Sequence, residues 1–441
     1  MTAPTTGWPR TPDTPPEGAR LVADLVDCDL ASSGTFLLRV PHDAFDELRG
    51  YGGIAWHAEP PVAGLFGDNP LLQFVDSPGF WAVTAYDLVA EVDRDQERFS
   101  SEAGATFLPS LAEGSLAMFR QMMLNMDHPR HTRLRRILQP IFTPRSIERL
   151  RDSTERNVQE ILGELPDEID LVTSVSAELP LRVLADLFGM PRDDRHLIFE
   201  WSNALVGADA PGAAQHSEDA MAALAGMMTY GQAMADERRA DPRDDVVSRI
   251  VTAEVDGERL TDEEFQMFWL LLVVAGNETT RNAVSGSVLA LHEHDLWPWL
   301  AEHPEHLSTA VEELLRHVSP VQHFRRTATR DLVLGDQQVR AGDKVVIWFG
   351  AANRDPAVFP EPHDLDLRRE PNPHLAFGVG PHFCLGAHLA RLEATLVLRG
   401  LLERAPDLSV GEATRVPSNF INGIAHLPVR LGPRPPRERL A

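Results

Sequence analysis

The stretch Phe377–Gly386, FGVGPHFCLG, constrains this chain more than any other. Two glycines flank Val379, Pro381 follows, and Cys384 stands just ahead of Leu385, Leu389, Leu392 and Leu396, which share one helical face. A cysteine at a helix N-terminus meets free amides and the positive end of the helix dipole, which stabilise its thiolate. Glycines let the backbone approach something large and flat. Such a loop can present one thiolate to one metal. A lone cysteine more often only fills space, so the argument rests on the spacing of its neighbours. The second cysteine is Cys28. Two cysteines exclude a disulfide framework and any Cys-rich zinc or iron–sulfur site, and they fit a reducing cytoplasm.

The rest of the chain reads as mainly helical with a small β portion. PRHTRLRRILQPIF after Pro129 carries Leu134, Ile137, Leu138 and Ile141 at helical spacing. The stretch 213–240 is rich in Ala and Met. Thr261 and Glu264 form a capping box that opens a long helix through Phe265, Phe268, Trp269, Leu272 and Ala275 to about Leu291. TAVEELLRHV is a helix that must stop before Pro320. Strand signals are short and late: two extended runs around Gly335, and a hairpin in NFINGIAHLPVRL. No linker or repeat divides the chain. The expected organisation is a Pro-rich disordered tail over 1–20, one domain over 21–432 and a disordered tail over 433–441. Lys+Arg is 41 and Asp+Glu is 66, a net charge of 41 − 66 = −25. This argues against nucleic acid and anionic membrane surfaces. The most apolar run, FWLLLVVAG, is too short to anchor the chain in a bilayer.

The spacing F-G-x-G-x-H-x-C-x-G resembles the haem-binding loop of the cytochrome P450 superfamily. Three further motifs stand in the order that superfamily has. AGNETT (275–280) lies inside the long helix, where a glycine followed by a threonine able to bond back to a carbonyl favours a bulge. Glu278 and Thr279 follow directly from an apolar run, and an acid and a hydroxyl there point to proton delivery. Glu313 and Arg316 match the superfamily's ExxR, with Arg369 as third member beside the competing Arg368. His131, Arg135, Arg326 and His382 match its haem-carboxylate set.

The resemblance implies a helical prism around haem b, with Cys384 as iron ligand and Phe377, Gly386 and Ala275 against the cofactor. It implies that Glu278 and Thr279 supply protons and that Glu313, Arg316 and Arg369 form a structural network under the haem. The implied reaction is insertion of one oxygen atom from O2 into a C–H bond. Electrons come from a ferredoxin and its reductase, because the chain carries no flavin or iron–sulfur module of its own. LLVVAGNETTRNAV, LNMDHPRHTRLRR, VDGERL and PNPHLAFGVG look like bacterial hydroxylases of sterol side chains and methyl-branched lipids. The expected substrate is therefore a sterol, branched lipid or terpenoid. A tailoring hydroxylase of a macrolide, polyketide or carrier-bound acid is the alternative, and a non-catalytic haem-thiolate sensor is the alternative of another class. A sensor has no use for the Glu278–Thr279 pair. The protein is expected to be a cytoplasmic monomer.

Expected pocket walls are Phe107 and Leu108 within 101–118, the region 204–230, Leu271, Leu272, Ala275, Phe420 and Ile421. Period-two alternation before Arg326 adds Gln322 and Phe324. Gln322 and His323 are polar for a wall above an aliphatic substrate. The redox partner is expected to dock beside 130–136, where Arg130, Arg133 and Arg136 face water once haem has taken Arg135.

Overall fold

The helix Asp262–Glu293 is the axis of the molecule. In this computed structural model, which describes residues 14–61, 73–206, 217–254 and 257–432, its N-terminus carries the expected capping box. The Glu264 N–H donates to Thr261 Oγ1 at 3.2 Å, and the Thr261 N–H donates to the Glu264 carboxylate at 3.0 Å. Helices Glu178–Phe188, Ser217–Ala240, Leu307–Val318 and Ala387–Arg404 pack around it. Val273, Val284 and Leu291 of the axis join Leu184, Leu314 and Leu398 in the largest apolar cluster. The axis stays α-helical through Gly276 and Thr279, so the expected bulge does not form. Gly276 turns its open side to Leu184.

A five-stranded sheet forms the second layer. Ile54–Ala58 pairs antiparallel with Gly79–Val83, which runs parallel to Lys344–Trp348. Then come His323–Ala328 and Phe99–Ser100, both antiparallel to their neighbours. Three of these strands lie early in the chain, against the expectation that strands are late. Gly79–Val83 is buried at every position, and a strand covered on both faces shows no alternation for sequence reading to detect. The runs around Gly335 form the expected ladder, Leu332–Leu334 with Gln337–Val339. The expected hairpin near the end does not form. Ile424–His426 pairs with Thr414–Arg415, and Pro428–Arg430 pairs with Ser409–Val410 and Glu168–Asp170.

Residues 1–13, 433–441 and 207–216, which held the two expected tails and part of one expected pocket wall, lie outside the described residues. The N-terminal tail was expected to reach residue 20. Arg20 is instead pinned: its N–H donates to Gln337 Oε1 at 3.0 Å and its guanidinium pairs with Asp336 at 2.5 Å. Among the described residues no helix is long and apolar enough to cross a membrane.

Candidate functional site

The Cys384 loop is held by its own backbone and by two acids. Gly378 and Gly380 sit at φ 66° and 80°, a region a side chain rarely adopts. A Cβ on Gly380 would lie 2.8 Å from Arg94 Cα. The Cys384 N–H donates to the Phe377 carbonyl at 2.9 Å, and Asp93 accepts the Val379 N–H at 2.8 Å. Phe377 lies under the Arg391 guanidinium, 4.5 Å from ring centroid to Cζ. Arg391 makes two hydrogen bonds to Glu312, at 2.6 and 2.8 Å, and His374 adds a contact to that carboxylate at 3.1 Å. Cys384 and Phe383 are accessible to solvent by area. Burial nevertheless pushes the thiol pKa up, against the Gly386 N–H, Arg135 and Arg391. Both hold for a side chain that lines a recess rather than the convex surface.

Four basic groups from distant parts of the chain share that recess. The His131 and His382 rings meet at a tilt of 40°, with centroids 4.1 Å apart. His131 is pushed down to about 4, by burial first and then by Arg135 and Arg326. His382 is held well below its usual range by burial, Arg326, His131 and Arg135. The Arg135 guanidinium is also depressed by burial, with the Cys384 thiol acting the other way. Arg326 pairs with the buried Asp93 at 2.6 Å, while His131 Nε2 is buried with no hydrogen-bond partner. A cluster of mutually repelling donors with an orphaned nitrogen fits a ligand bearing carboxylates.

The axis helix carries an accessible face of its own. Val274 is 40% exposed although it lies mid-helix in the core of the molecule, and Ala275 beside it is exposed too. Thr279 Oγ1 donates to the Ala275 carbonyl at 2.8 Å. Glu278 accepts from Asn282 Nδ2 at 2.9 Å and pairs with Arg281 at 3.3 Å. Asn282 is fixed in turn, its Oδ1 accepting the Ile424 N–H at 3.0 Å. An accessible apolar helix face, a lone thiol and a basic cluster suit a flat apolar group with acidic edges. The residues present thus fit haem. Asp93, Val274 and Asn282 are not marked by the sequence, because an Asp in a helix, a Val in an apolar run and an Asn inside a long helix carry no signal of their own.

Beneath the loop, Glu313 and Arg316 are fully buried and joined by two hydrogen bonds of 2.8 Å. Arg369 Nε reaches both Glu313 oxygens at 3.1 Å. Its neighbour Arg368 instead lies over Trp299.

The expected pocket walls divide. Phe107, Leu271, Leu272, Phe324, Phe420 and Ile421 are half-buried. Phe420 lies 6.0 Å from Phe107 and 5.8 Å from Phe324, ring to ring. Leu108 does not line the recess: it is buried in a separate cluster with Phe36 and Trp348. Gln322 is corrected as well. It is 1% exposed, and its amide folds back to donate to the Ser319 carbonyl at 2.6 Å. His323 packs edge-on against Trp348 and Phe420 and is pushed down to about 3 by burial, so it acts as a neutral ring.

The basic stretch 130–136 is not a bare cationic face. Arg130 pairs with Glu102 at 3.2 Å, and Arg133 pairs with Glu264 and with Glu258 at 3.3 Å. Arg136, Arg145 and Arg149 are the exposed arginines there. Arg145 belongs to the short helix Pro144–Glu148 and Arg149 caps it. That helix packs on Ala387–Arg404, which follows the Cys384 loop.

Three comparisons bear on this geometry. The family model described as cytochrome P450 matches residues 302–422, the span from the ExxR helix through the Cys384 loop. The chain is 38% identical to the Steroid C26-monooxygenase of Rhodococcus jostii, over 91% of this chain and 84% of that protein. It is 42% identical to the Methyl-branched lipid omega-hydroxylase of Mycobacterium tuberculosis, over 87% of this chain and 91% of that protein. Its fold matches a Mycobacterium marinum cytochrome P450 solved with pseudoionone at a TM-score of 0.82 and 38% identity, covering 92% of this chain and 98% of that one. Likeness of this extent, over a chain whose thiol, basic cluster and axis helix suit haem, means that the chain belongs to the cytochrome P450 family and is a monooxygenase.

Proposed function

We propose that the protein holds haem b and inserts one oxygen atom from O2 into an unactivated C–H bond of a sterol, methyl-branched lipid or terpenoid, with electrons from a ferredoxin. The observation that carries this reading is the convergence of His131, Arg135, Arg326 and His382 on the recess that Cys384 lines. The protein works as one domain over 21–432, as a cytoplasmic monomer. The relatives named for a steroid and for methyl-branched lipids support the substrate class. So does the aromatic group Phe107, Phe324 and Phe420.

When bound, haem would supply dioxygen binding and O–O cleavage, which thiolate ligation favours. The chain's own residues do the rest. Cys384 would hold the iron through its thiolate, and Phe377, Gly386 and Ala275 would border the cofactor. His131, Arg135, Arg326 and His382 would hold the propionates through charge-assisted hydrogen bonds. Phe107, Phe324, Phe420, Ile421, Leu271 and Leu272 hold the apolar substrate and exclude water. Thr279 holds a proton at Oγ1 over the recess, and Glu278 replenishes it from its site against Arg281 and Asn282.

Thr279→Ala is expected to uncouple turnover: NADPH consumption persists while product falls and hydrogen peroxide rises. Unchanged product per NADPH would remove Thr279 from the proton path. Glu278→Gln is expected to slow turnover instead, because it keeps the shape and removes the titratable group. Ferredoxin docking is expected on Arg145 and Arg149. Reversing both to Glu should lower the reduction rate at low salt, and the wild-type rate should fall as salt rises. A wild-type rate in the double variant would place the docking face elsewhere. Substrate class is settled by a spectral-shift titration with sterols, branched fatty acids, terpenes and macrolactones. A shift with macrolactones alone would mean a tailoring hydroxylase.

A further inference from the structure

Arg354 lies in the turn after Phe349–Ala352 and is 5% exposed. A buried guanidinium keeps its charge and needs acceptors to offset its desolvation. None reaches it: among the described residues its side chain makes no hydrogen bond or ion pair, and Nη1 is fully buried without a partner. The carboxylates nearby are already committed. Asp355 accepts the N–H groups of Tyr86 at 2.8 Å and Ala357 at 2.9 Å. Glu313 is held by Arg316 and Arg369. Asp46 is taken by Arg49 and by His363 at 2.7 Å.

Arg354 is not alone. Arg49 Nε, His42 Nδ1 and His317 Nδ1 are also buried without partners. They come from the helix His42–Gly50 and the last turn of Leu307–Val318. The groups face one another: His42, His317 and His363 are each held below their usual range by burial first and then by Arg354. The His42 and His363 rings lie 6.2 Å apart. Four arginines (Arg49, Arg316, Arg354, Arg369) stand against three carboxylates (Asp46, Glu313, Asp355), an excess of one positive charge.

We propose that Arg354, Arg49, His42 and His317 bind one small monovalent anion of the chloride type, roofed by the His363–Asp46 pair. A single excess charge calls for a monovalent ion. Donors arriving from four side chains on three segments suit a sphere better than a planar carboxylate, which a single guanidinium fork would take. The unpartnered nitrogens belong to two guanidiniums and two imidazoles, and the two cations among them repel a metal ion. His363 is half-exposed and gives the ion its way in. The bound ion ties the first helix to the turn behind the Glu313–Arg316 helix, so it acts on stability and not on the chemistry of the recess.

The test uses the holoenzyme at constant ionic strength, with sodium gluconate replaced stepwise by sodium chloride. Chloride should raise the thermal midpoint by about 2 to 4 °C at saturation, as a ligand that binds only the folded state does. The chlorine-35 resonance should broaden in the presence of protein. Arg354→Met and His42→Phe should each abolish both responses, and the second variant reports even where the first fails to fold. A flat midpoint with no line broadening in the wild type overturns the proposal. So does a chloride response that persists undiminished in His42→Phe, which would mark it as general screening of an acidic chain.

Discussion

Cys384→Ser is expected to abolish the carbon-monoxide difference band of a thiolate-bound ferrous haem, while haem itself is still partly retained. Retention follows from the proposed reading, in which His131, Arg135, Arg326 and His382 would hold the cofactor's edge independently of Cys384. The loss is specific to one sulfur. A serine hydroxyl has the shape of the thiol but neither its acidity nor its softness as a donor. The loop survives the change, since the 384 N–H bond to the Phe377 carbonyl and the Asp93 bond to Val379 do not involve the side chain. Cys28→Ser is the control. Burial, then Asp29 and Asp27, push the Cys28 thiol up to about 11, so it is protonated and inert at neutral pH and its removal should leave the spectrum unchanged. A Cys384→Ser protein that keeps the band means another residue is the ligand.

Breaking the Glu313–Arg316 pair should have the largest effect on stability. Both side chains are fully buried. Arg316 spends its remaining N–H groups on the carbonyls of Asn353, Pro362 and Asp364 at 2.7, 2.8 and 3.0 Å. Glu313 also accepts the Asp366 N–H at 3.0 Å and Asn372 Nδ2 at 3.1 Å. Removing one partner leaves the other charge buried and uncompensated, which costs about 3 to 5 kcal/mol. That is a large share of a stability of about 5 to 15 kcal/mol. Glu313→Ala or Arg316→Leu should therefore give little soluble holoprotein. Arg369→Ala should be milder, because Arg316 still meets the carboxylate. Arg368→Ala should be close to neutral, since it gives up one contact over Trp299. Thermal midpoints and haem content in the order wild type, Arg368, Arg369, then Glu313 and Arg316 would bear this out. Equal losses for Arg368→Ala and Arg369→Ala would contradict the network.

Side-by-side residues show where reading along the chain stops. Glu312 and Glu313 are neighbours on one helix, as are Arg368 and Arg369 on one loop, and apart from the ExxR resemblance local geometry does not separate them, since i,i+3 and i,i+4 residues both reach Arg316. Consecutive helical residues point about 100° apart. Packing sends Glu313 inward to Arg316 and turns Glu312 to Arg391 under the Phe377 ring. The early strands escaped notice because burial on both faces erases alternation. Leu108 and Gln322 were placed in the pocket by position along the chain, and their side chains turned out to face other clusters. Arg130 and Arg133 read as a solvated basic face until Glu102, Glu258 and Glu264 were brought against them.

The sequence by itself determined the local features. The Cys384 loop, the capping box of the axis helix, the helical stripes and the acid–hydroxyl pair at Glu278–Thr279 depend on residues within a few positions of one another, where backbone geometry fixes what can meet. Tertiary structure alone decided the rest: that His131 packs against His382, that Asp93 joins Arg326 to the Cys384 loop, that Arg369 and not Arg368 completes the pair with Glu313, and that Arg354 is buried beside carboxylates already in use. The reason is physical. A charge is stabilised or stranded by whatever surrounds it once water is gone, and that surrounding is assembled from segments far apart in the chain.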